Sequence, residues 1–265
     1  MNIEISNLQF TYPAGVQALS GVSLNINAGE QVAIVGQNGA GKTTLVKHLN
    51  GLLQPTSGYV RIEDWDTKEL SVSKLARRVG YVFQNPDEQL FSKNVGTEVA
   101  FGPKNLGNTS EQVQALVKDA LGMTELSDKT ETNPYDLSPT WRKMVAIASI
   151  IAMDTPIVIF DEPTTGQDAA NIARIANVIK VLRERGKTVI TITHDIDFCA
   201  ENFERIIAMS QGKILLDGKA NDVLGQDETL ATTFVDPPQL TRLGKRLGFE
   251  QTVRNQAEFL VALKK

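Results

Sequence analysis

The chain reads as an α/β fold with a mostly parallel core sheet, an antiparallel β section, an inserted helical subdomain and a small C-terminal helical tail. Three observations predict it. The apolar run Val32-Ala33-Ile34-Val35 enters a glycine-rich turn and leaves it through Leu45-Val46-Lys47-His48-Leu49, the order of a strand, a tight loop and a helix. Two more apolar runs, Ile157-Val158-Ile159-Phe160 and Val189-Ile190-Thr191-Ile192, are short and continuous, as strands buried on both faces of a parallel sheet are. From about residue 93 to about 152 the apolar spacing turns helical, interrupting the α/β alternation.

Taken in order, Ile3, Ile5, Leu8 and Phe10, then Val22, Leu24 and Ile26, alternate as half-buried strands do, ahead of the turn Ala28-Gly29-Glu30. Gly58-Tyr59-Val60-Arg61-Ile62 continues this antiparallel section, with a turn at Glu63-Asp64-Trp65-Asp66. The strand Val79-Gly80-Tyr81-Val82-Phe83 ends at Gln84, and the helical stretch from Val95 is broken near Gly102-Pro103, Gly107-Asn108 and Asn133-Pro134. Asp168 to Arg185 has helical character and stops at Gly186, the residue type that closes helices in a left-handed conformation. A hairpin from Ile206-Ile207-Ala208-Met209 to Lys213-Ile214-Leu215-Leu216 turns at Gln211-Gly212. Residues 1–220 form the main domain, and 221–265 the helical tail, with Pro237-Pro238 as a break.

Composition removes several classes. With 265 residues, 42% hydrophobic and 22% charged, the chain can bury a substantial core and is neither disordered nor collagen-like. A net charge of −4 without a basic stripe argues against a nucleic-acid partner. The longest apolar stretch, Met144 to Met153, is far short of the ~18 residues a spanning helix needs. Met1-Asn2-Ile3-Glu4-Ile5 shows no export signal, so a cytosolic location is expected. The single cysteine, Cys199, excludes an intrachain disulfide framework and reads as packing on a partly buried helix.

The chemistry begins at Gly36-Gln37-Asn38-Gly39-Ala40-Gly41-Lys42-Thr43-Thr44. Glycines let successive backbone N–H groups converge on a polyphosphate, and the first turn of the following helix adds its unpaired donors and dipole. Lys42 can reach the β/γ oxygens, and the Thr43 hydroxyl is placed to ligate Mg²⁺. Asp161-Glu162 ends the strand Ile157–Phe160, at the edge where ligands of parallel sheets collect. There Asp161 would hold Mg²⁺, and Glu162 would orient and deprotonate an attacking water. Magnesium takes hard oxygen ligands, which Thr43, Asp161 and Gln84 supply. Gln84 can also touch the attacking water. His194, directly after a buried strand, can contact a γ-phosphate, whereas His48 reads as a helix-cap or surface histidine.

The loop, Gln84, Leu137-Ser138, the strand into Asp161-Glu162, Asp168 and His194 follow the order and spacing of an ATP-binding-cassette ATPase, and the chain resembles that P-loop NTPase family from residue 1 to about 220. The resemblance implies ATP and Mg²⁺ as ligands, and head-to-tail pairing with a second cassette ATPase. It also implies Tyr12 as the aromatic on the adenine, although Tyr12-Pro13 equally reads as a packed strand end. The segment Phe83-Gln84-Asn85-Pro86-Asp87-Glu88-Gln89-Leu90-Phe91, with Val99-Ala100-Phe101-Gly102-Pro103-Lys104-Asn105-Leu106-Gly107, resembles the ATPases of energy-coupling-factor importers for vitamins and transition metals. In that branch the stretch matching Asp87, Glu88, Gln89, Leu90 and Phe91 docks a transmembrane scaffold, and a separate membrane subunit carries the solute. Pro237-Pro238-Gln239-Leu240-Thr241-Arg242-Leu243 resembles the tail that contributes to ATPase pairing. Such a subunit sits at the cytoplasmic face of the membrane.

The signature of the family, Leu-Ser-Gly-Gly-Gln, reads here Leu137-Ser138-Pro139-Thr140-Trp141. Ser138 before Pro139 is sound helix-start chemistry, but Pro139 lacks an N–H and Thr140 adds bulk where backbone approaches phosphate. The loss is on the order of 2–4 kcal/mol of transition-state stabilisation, roughly 30- to 1000-fold in rate. Pairing with a different ATPase would then give one weak and one strong site. Asp168, in Thr164-Thr165-Gly166-Gln167-Asp168, resembles the aspartate of the inter-subunit loop. Two other readings stay open: a nucleotide-binding assembly cassette with negligible turnover, and a soluble cassette ATPase outside transport.

Overall fold

The alternation near the start of the chain becomes β1 (Ile3–Thr11) and β2 (Gln17–Ile26), paired antiparallel with Ile3 opposite Ile26 and Ile5 opposite Leu24. They open a computed structural model that describes residues 1–264. In chain order there follow β3 (Gln31–Val35), α1 (Lys42–Lys47), β4 (Ser57–Ile62), β5 (Trp65–Asp66), α2 (Val72–Leu75), β6 (Val79–Val82), α3 (Val95–Asn105), α4 (Ser110–Met123), α5 (Pro139–Ile151) and β7 (Ile157–Asp161). Then come α6 (Ala169–Glu184), β8 (Thr188–Ile192), α7 (Ile196–Asn202), β9 (Arg205–Ser210), β10 (Lys213–Lys219), α8 (Ala220–Leu224), α9 (Asp227–Thr232), α10 (Gln239–Arg246) and α11 (Gln256–Ala262). The mixed α/β pattern is the one the sequence predicts.

Two compact units are present. The first comprises Asn2–Asn27, Gln31–Glu69 and the chain from Ile190 onward. It contains the antiparallel order β2-β1-β4-β5 and, in the second sheet, β10-β9-β3, with β9 parallel to β3 and antiparallel to β10. Thr193 N–H donates to the Ile34 carbonyl at 3.2 Å, which sets the end of β8 beside the end of β3. Gln211 and Gly212 turn the β9–β10 hairpin with φ of 48° and 74°. Positive φ at both central residues is the turn whose twist matches its flanking strands. That tip is anchored, because Gly212 N–H donates to the Ala40 carbonyl and Ser20 N–H to the Gly212 carbonyl, both at 3.0 Å.

The second unit comprises Met1, Ala28–Glu30 and Leu70–Val189. In it β6 runs parallel to β7 with Val82 level with Phe160, and Thr188 N–H, opening β8, donates to the Pro156 carbonyl at 2.9 Å. The helices α3, α4 and α5 occupy the stretch the sequence marks as a helical insertion. Asn94 caps α3 through Thr97 N–H, Thr109 and Gln112 form a reciprocal capping box on α4, and Ser138 caps α5 ahead of Pro139.

Burial decides the strands. Val32, Ala33, Ile34 and Val35 in one unit, and Ile157, Val158, Ile159 and Phe160 in the other, are at most 2% exposed. Each such larger side chain stabilises by about 1.5–3 kcal/mol when buried, more than the ~1 kcal/mol that separates good from poor strand formers. Cys199 is fully buried on α7. Among the described residues no helix is long and apolar enough to cross a membrane.

Two local expectations need correction. The segment 63–66 is a turn only at its start, since Trp65–Asp66 pairs with β4. His48 is the C-cap residue of α1, as expected, but it is not on the surface: it is fully buried, its Nδ1 2.7 Å from the Thr44 carbonyl and its ring edge-on to Phe10 at 4.9 Å. Helix α1 stops at Lys47, so the residue after it turns inward and fills the core.

Candidate functional site

In the first unit the loop 36–44 springs from the C-terminal end of β3, and its shape depends on glycine at two places. At Gly36, with φ of 151°, an added Cβ would run into the Met209 carbonyl. At Gly41, with φ of 100°, it would lie 2.7 Å from the Ala18 carbonyl and 3.0 Å from Leu19. Both positions are closed to other residues by packing as well as by conformation. Lys42 Nζ donates to the carbonyls of Gly36 at 2.7 Å and Gln37 at 3.2 Å, so the ammonium folds over the loop from which it starts. Ala40 N–H closes the turn onto the Gln37 carbonyl at 3.1 Å. The result is a tight glycine loop folded back on its lysine at a strand-to-helix junction, the setting in which backbone N–H groups bind polyphosphates.

Around this loop the first unit gathers two more of the expected residues. Tyr12 stands at the end of β1, its hydroxyl hydrogen-bonded to that of Thr44 at 3.0 Å and its ring edge-on to Phe10 at 4.8 Å, with 37% of its surface exposed. His194 is exposed just past β8. Because β8 ends beside β3, His194 and Gly36 leave the same sheet edge. Sequence reasoning did not find the bond from Gln37 N–H to the Thr233 carbonyl, 3.2 Å, by which the tail after α9 touches the loop. Thr233 is fully buried, and Phe234 after it is left-handed at φ of 55° and largely exposed.

In the second unit the parallel register of β6 and β7 sets Val82 level with Phe160, and Gln84 and Glu162 each follow two residues later. Gln84 is exposed, whereas Asp161 and Glu162 are 3% and 6% exposed. Tyr81 donates its hydroxyl to Asp161 Oδ2 at 2.6 Å, and burial first, then the Asp161 charge, pushes the Tyr81 phenol well above its ordinary range. The phenol therefore stays a donor. Glu162 takes a left-handed φ of 46°, an uncommon conformation for a glutamate and one that clusters at functional sites, and its Oε2 accepts from the Thr165 hydroxyl at 3.3 Å. Within this unit Asp161 and Gln84 offer a carboxylate and an amide oxygen, hard donors of the kind magnesium takes.

Lys143 is a site neighbour absent from the sequence expectations. It is 1% exposed on α5, and its Nζ donates to the carbonyls of Phe83 at 3.1 Å and Gln84 at 2.6 Å. Burial depresses its ammonium to about 8, against the opposing pull of the Asp161 and Glu162 charges. The available signal was a lysine running straight into the apolar run Met144–Ala148.

The segment 138–141 keeps its helix start. Ser138 Oγ accepts from Trp141 N–H at 3.4 Å and is hydrogen-bonded to the Thr140 hydroxyl at 2.8 Å. Trp141 lies under two cations, Lys129 Nζ at 4.8 Å and the Arg174 guanidinium at 4.9 Å from its ring centre, and Arg174 is itself paired with Glu125 at 2.6 Å. Asp168 caps α6, accepting from Asn171 N–H at 2.8 Å. Of the five residues that the resemblance assigns to docking, Asp87, Glu88 and Phe91 are exposed, with Asp87 paired to Arg142 at 2.8 Å and Phe91 edge-on to the exposed Phe101 at 4.7 Å. Leu90 is 3% exposed, and the Gln89 amide is committed inward to Phe83, Ala146 and Ser149.

Residues 19–165 match a family model described as ABC transporter. A protein of Pyrococcus horikoshii, provisionally named an ABC transporter ATP-binding protein, is 42% identical over 258 residues, 97% of this chain and 98% of that one. A similarly named protein of Methanosarcina acetivorans is 41% identical over 268 residues, 98% of this chain but 44% of the relative. The chain thus spans under half the length of some curated relatives and nearly all of others. Among solved structures, cbiO1 from Clostridium perfringens, described as part of the ABC transporter complex cbiONQ, superimposes with a TM-score of 0.78 at 32% identity, covering 92% of this chain and 98% of that one. The ATP-binding cassette MJ0796, described as a dimer in a post-hydrolysis state bound to ADP and Pi, gives 0.75 at 30% identity over 82% of this chain and 98% of that one.

Proposed function

Since the chain belongs to the ABC transporter family as an ATP-binding cassette, we propose that it is the ATP-hydrolysing motor subunit of an importer of the energy-coupling-factor class, for vitamins or transition-metal ions. The observation that carries the ATPase reading is the loop 36–44, closed by packing at Gly36 and Gly41 around Lys42. The importer class is supported by the segments 83–91 and 99–107 and by the likeness to cbiO1.

In this reading the amides of residues 36–44 and Lys42 bind the phosphates of ATP, and Tyr12 supports the adenine. Bound magnesium, held by Thr43, Asp161 and Gln84, would neutralise charge on the phosphates. Glu162 takes the proton of the attacking water, Gln84 orients that water, and His194 steadies the γ-phosphate. Little covalent help is required, so turnover depends on positioning and charge. Ser138 and Asp168 face a second cassette ATPase, and residues 221–265 contribute to that pairing. Asp87, Glu88 and Phe91 meet a transmembrane scaffold, braced from beneath by Gln89 and Leu90, at the cytoplasmic face of the membrane.

The segment Ser138-Pro139-Thr140 supports a heteromeric pair. Pro139 has no N–H, and the Thr140 hydroxyl is engaged with Ser138. The site completed by this segment is the weak one, while the site built on this chain's own loop and Glu162 is the strong one. The same observation favours the second reading, a nucleotide-binding cassette with negligible turnover. A phosphate-release assay on the complex co-purified from membranes, with Glu162→Gln as control, separates them. The motor reading expects turnover that Glu162→Gln abolishes while ATP binding persists; a complex that binds ATP without releasing phosphate supports the second.

A further inference from the structure

The mechanism above leaves Lys143 without a task, and lysines are almost never fully buried unless something compensates the charge. Here the compensation is specific. Lys143, 1% exposed, donates its ammonium to two consecutive carbonyls, Phe83 and Gln84, 60 and 59 residues away in sequence. The same peptide segment is gripped a second time by Gln89. Its Oε1 accepts from Phe83 N–H at 3.1 Å, while its Nε2 donates to the Ala146 carbonyl at 2.7 Å and to the Ser149 hydroxyl at 2.9 Å. Both polar groups of the Phe83 backbone are therefore tied to α5, and so is the carbonyl of Gln84, although the Gln84 side chain is exposed.

A charge is an expensive way to satisfy two neutral acceptors. Taking an ammonium out of water is costly, and the two carbonyls with the Asp161 and Glu162 charges only offset that cost, so stability alone gives poor reason for a lysine here. What it supplies is a reach of four methylenes ending in three donors, enough to hold two carbonyls at once. We propose that Lys143 is a positioning residue, which fixes the backbone from which Gln84 projects and makes that placement depend on the helix that begins at Ser138. This rests on the reading in which Gln84 serves metal and water.

The test uses the whole chain in its membrane-derived complex, with Lys143→Met, Lys143→Gln and Gln84→Ala. Lys143→Met should melt within a few degrees of the parent yet lose about tenfold in kcat with KM for ATP little changed, because ATP contacts are kept while alignment is lost. Lys143→Gln, which keeps a donor, should recover most of that loss. In a Gln84→Ala background Lys143→Met should cost nothing further, since the two act as one unit. Backbone amide exchange at Gln84 and Asn85 should speed up about tenfold in Lys143→Met; Lys143→Leu is read the same way should methionine pack poorly. Unchanged turnover in Lys143→Met, or an equal loss on the Gln84→Ala background, would overturn the proposal alone. A parent complex that releases no phosphate would overturn the motor reading and this one with it.

Discussion

The hydroxyl of Tyr12 is bonded to that of Thr44 at 3.0 Å, which joins the end of the first strand to the last residue of the phosphate loop. With Phe10 edge-on at 4.8 Å, the ring is held in one orientation before any ligand arrives. Two substitutions separate the hydroxyl from the ring. Tyr12→Phe should weaken ATP binding about two- to tenfold, the scale of one net hydrogen bond, whereas Tyr12→Ala should lose a further tenfold or so by removing the stacking face. Titration with a fluorescent ATP analogue measures both.

Glycine at 36 and glycine at 39 give contrasting outcomes. Both are left-handed, at φ of 151° and 81°, but a Cβ on Gly39 meets open space while one on Gly36 strikes the Met209 carbonyl. Gly39→Ala should cost about 1 kcal/mol and Gly36→Ala clearly more, with loss of ATP binding. Thermal melting of the two variants side by side decides it.

Restoring what the signature lacks separates a weak site from a sound one. Pro139→Gly with Thr140→Gly should raise phosphate release by the complex up to about twofold, by bringing the weak site toward the strong one through a returned backbone N–H and cleared space near the partner's nucleotide. A complex whose rate is untouched by that double change would show that the segment does not limit turnover.

His48 sets a pH dependence. Burial holds its imidazole below the ordinary 6.5, against the Thr44 carbonyl, which favours the charged form. The folded protein thus refuses a proton that the unfolded chain accepts. The stability contributed by the neutral ring is complete above 6.5 and declines as pH falls from there toward the folded value. Melting temperatures between pH 7.5 and 5 should drop less steeply in His48→Gln than in the parent, with the flanking Phe10 unchanged.

These residues also show what a sequence discloses. The glycine loop, the caps at Ser138 and Asp168, the closing Gly186 and the Gln211-Gly212 turn are local: a few neighbours and their backbone angles determine them, and each is where the pattern places it. Of the candidate site, the position of the loop and of Asp161, Glu162 and His194 at strand ends was legible for the same reason. His48, Lys143 and Gln89 were not. Their environments come from partners that the chain delivers from elsewhere, Phe10 to one and residues nearly sixty positions away to the others. Composition treats a lysine, a histidine and a glutamine as surface residues, and only packing shows them inside.

The bond between Gln37 N–H and the Thr233 carbonyl matters for anyone trimming this molecule. Cutting the chain after β10 to obtain a minimal cassette would strip the loop of an acceptor and leave one of its amides facing solvent. Affinities measured on such a fragment would describe a differently braced loop, so a shortened version is a variant in its own right and not a smaller copy of the parent.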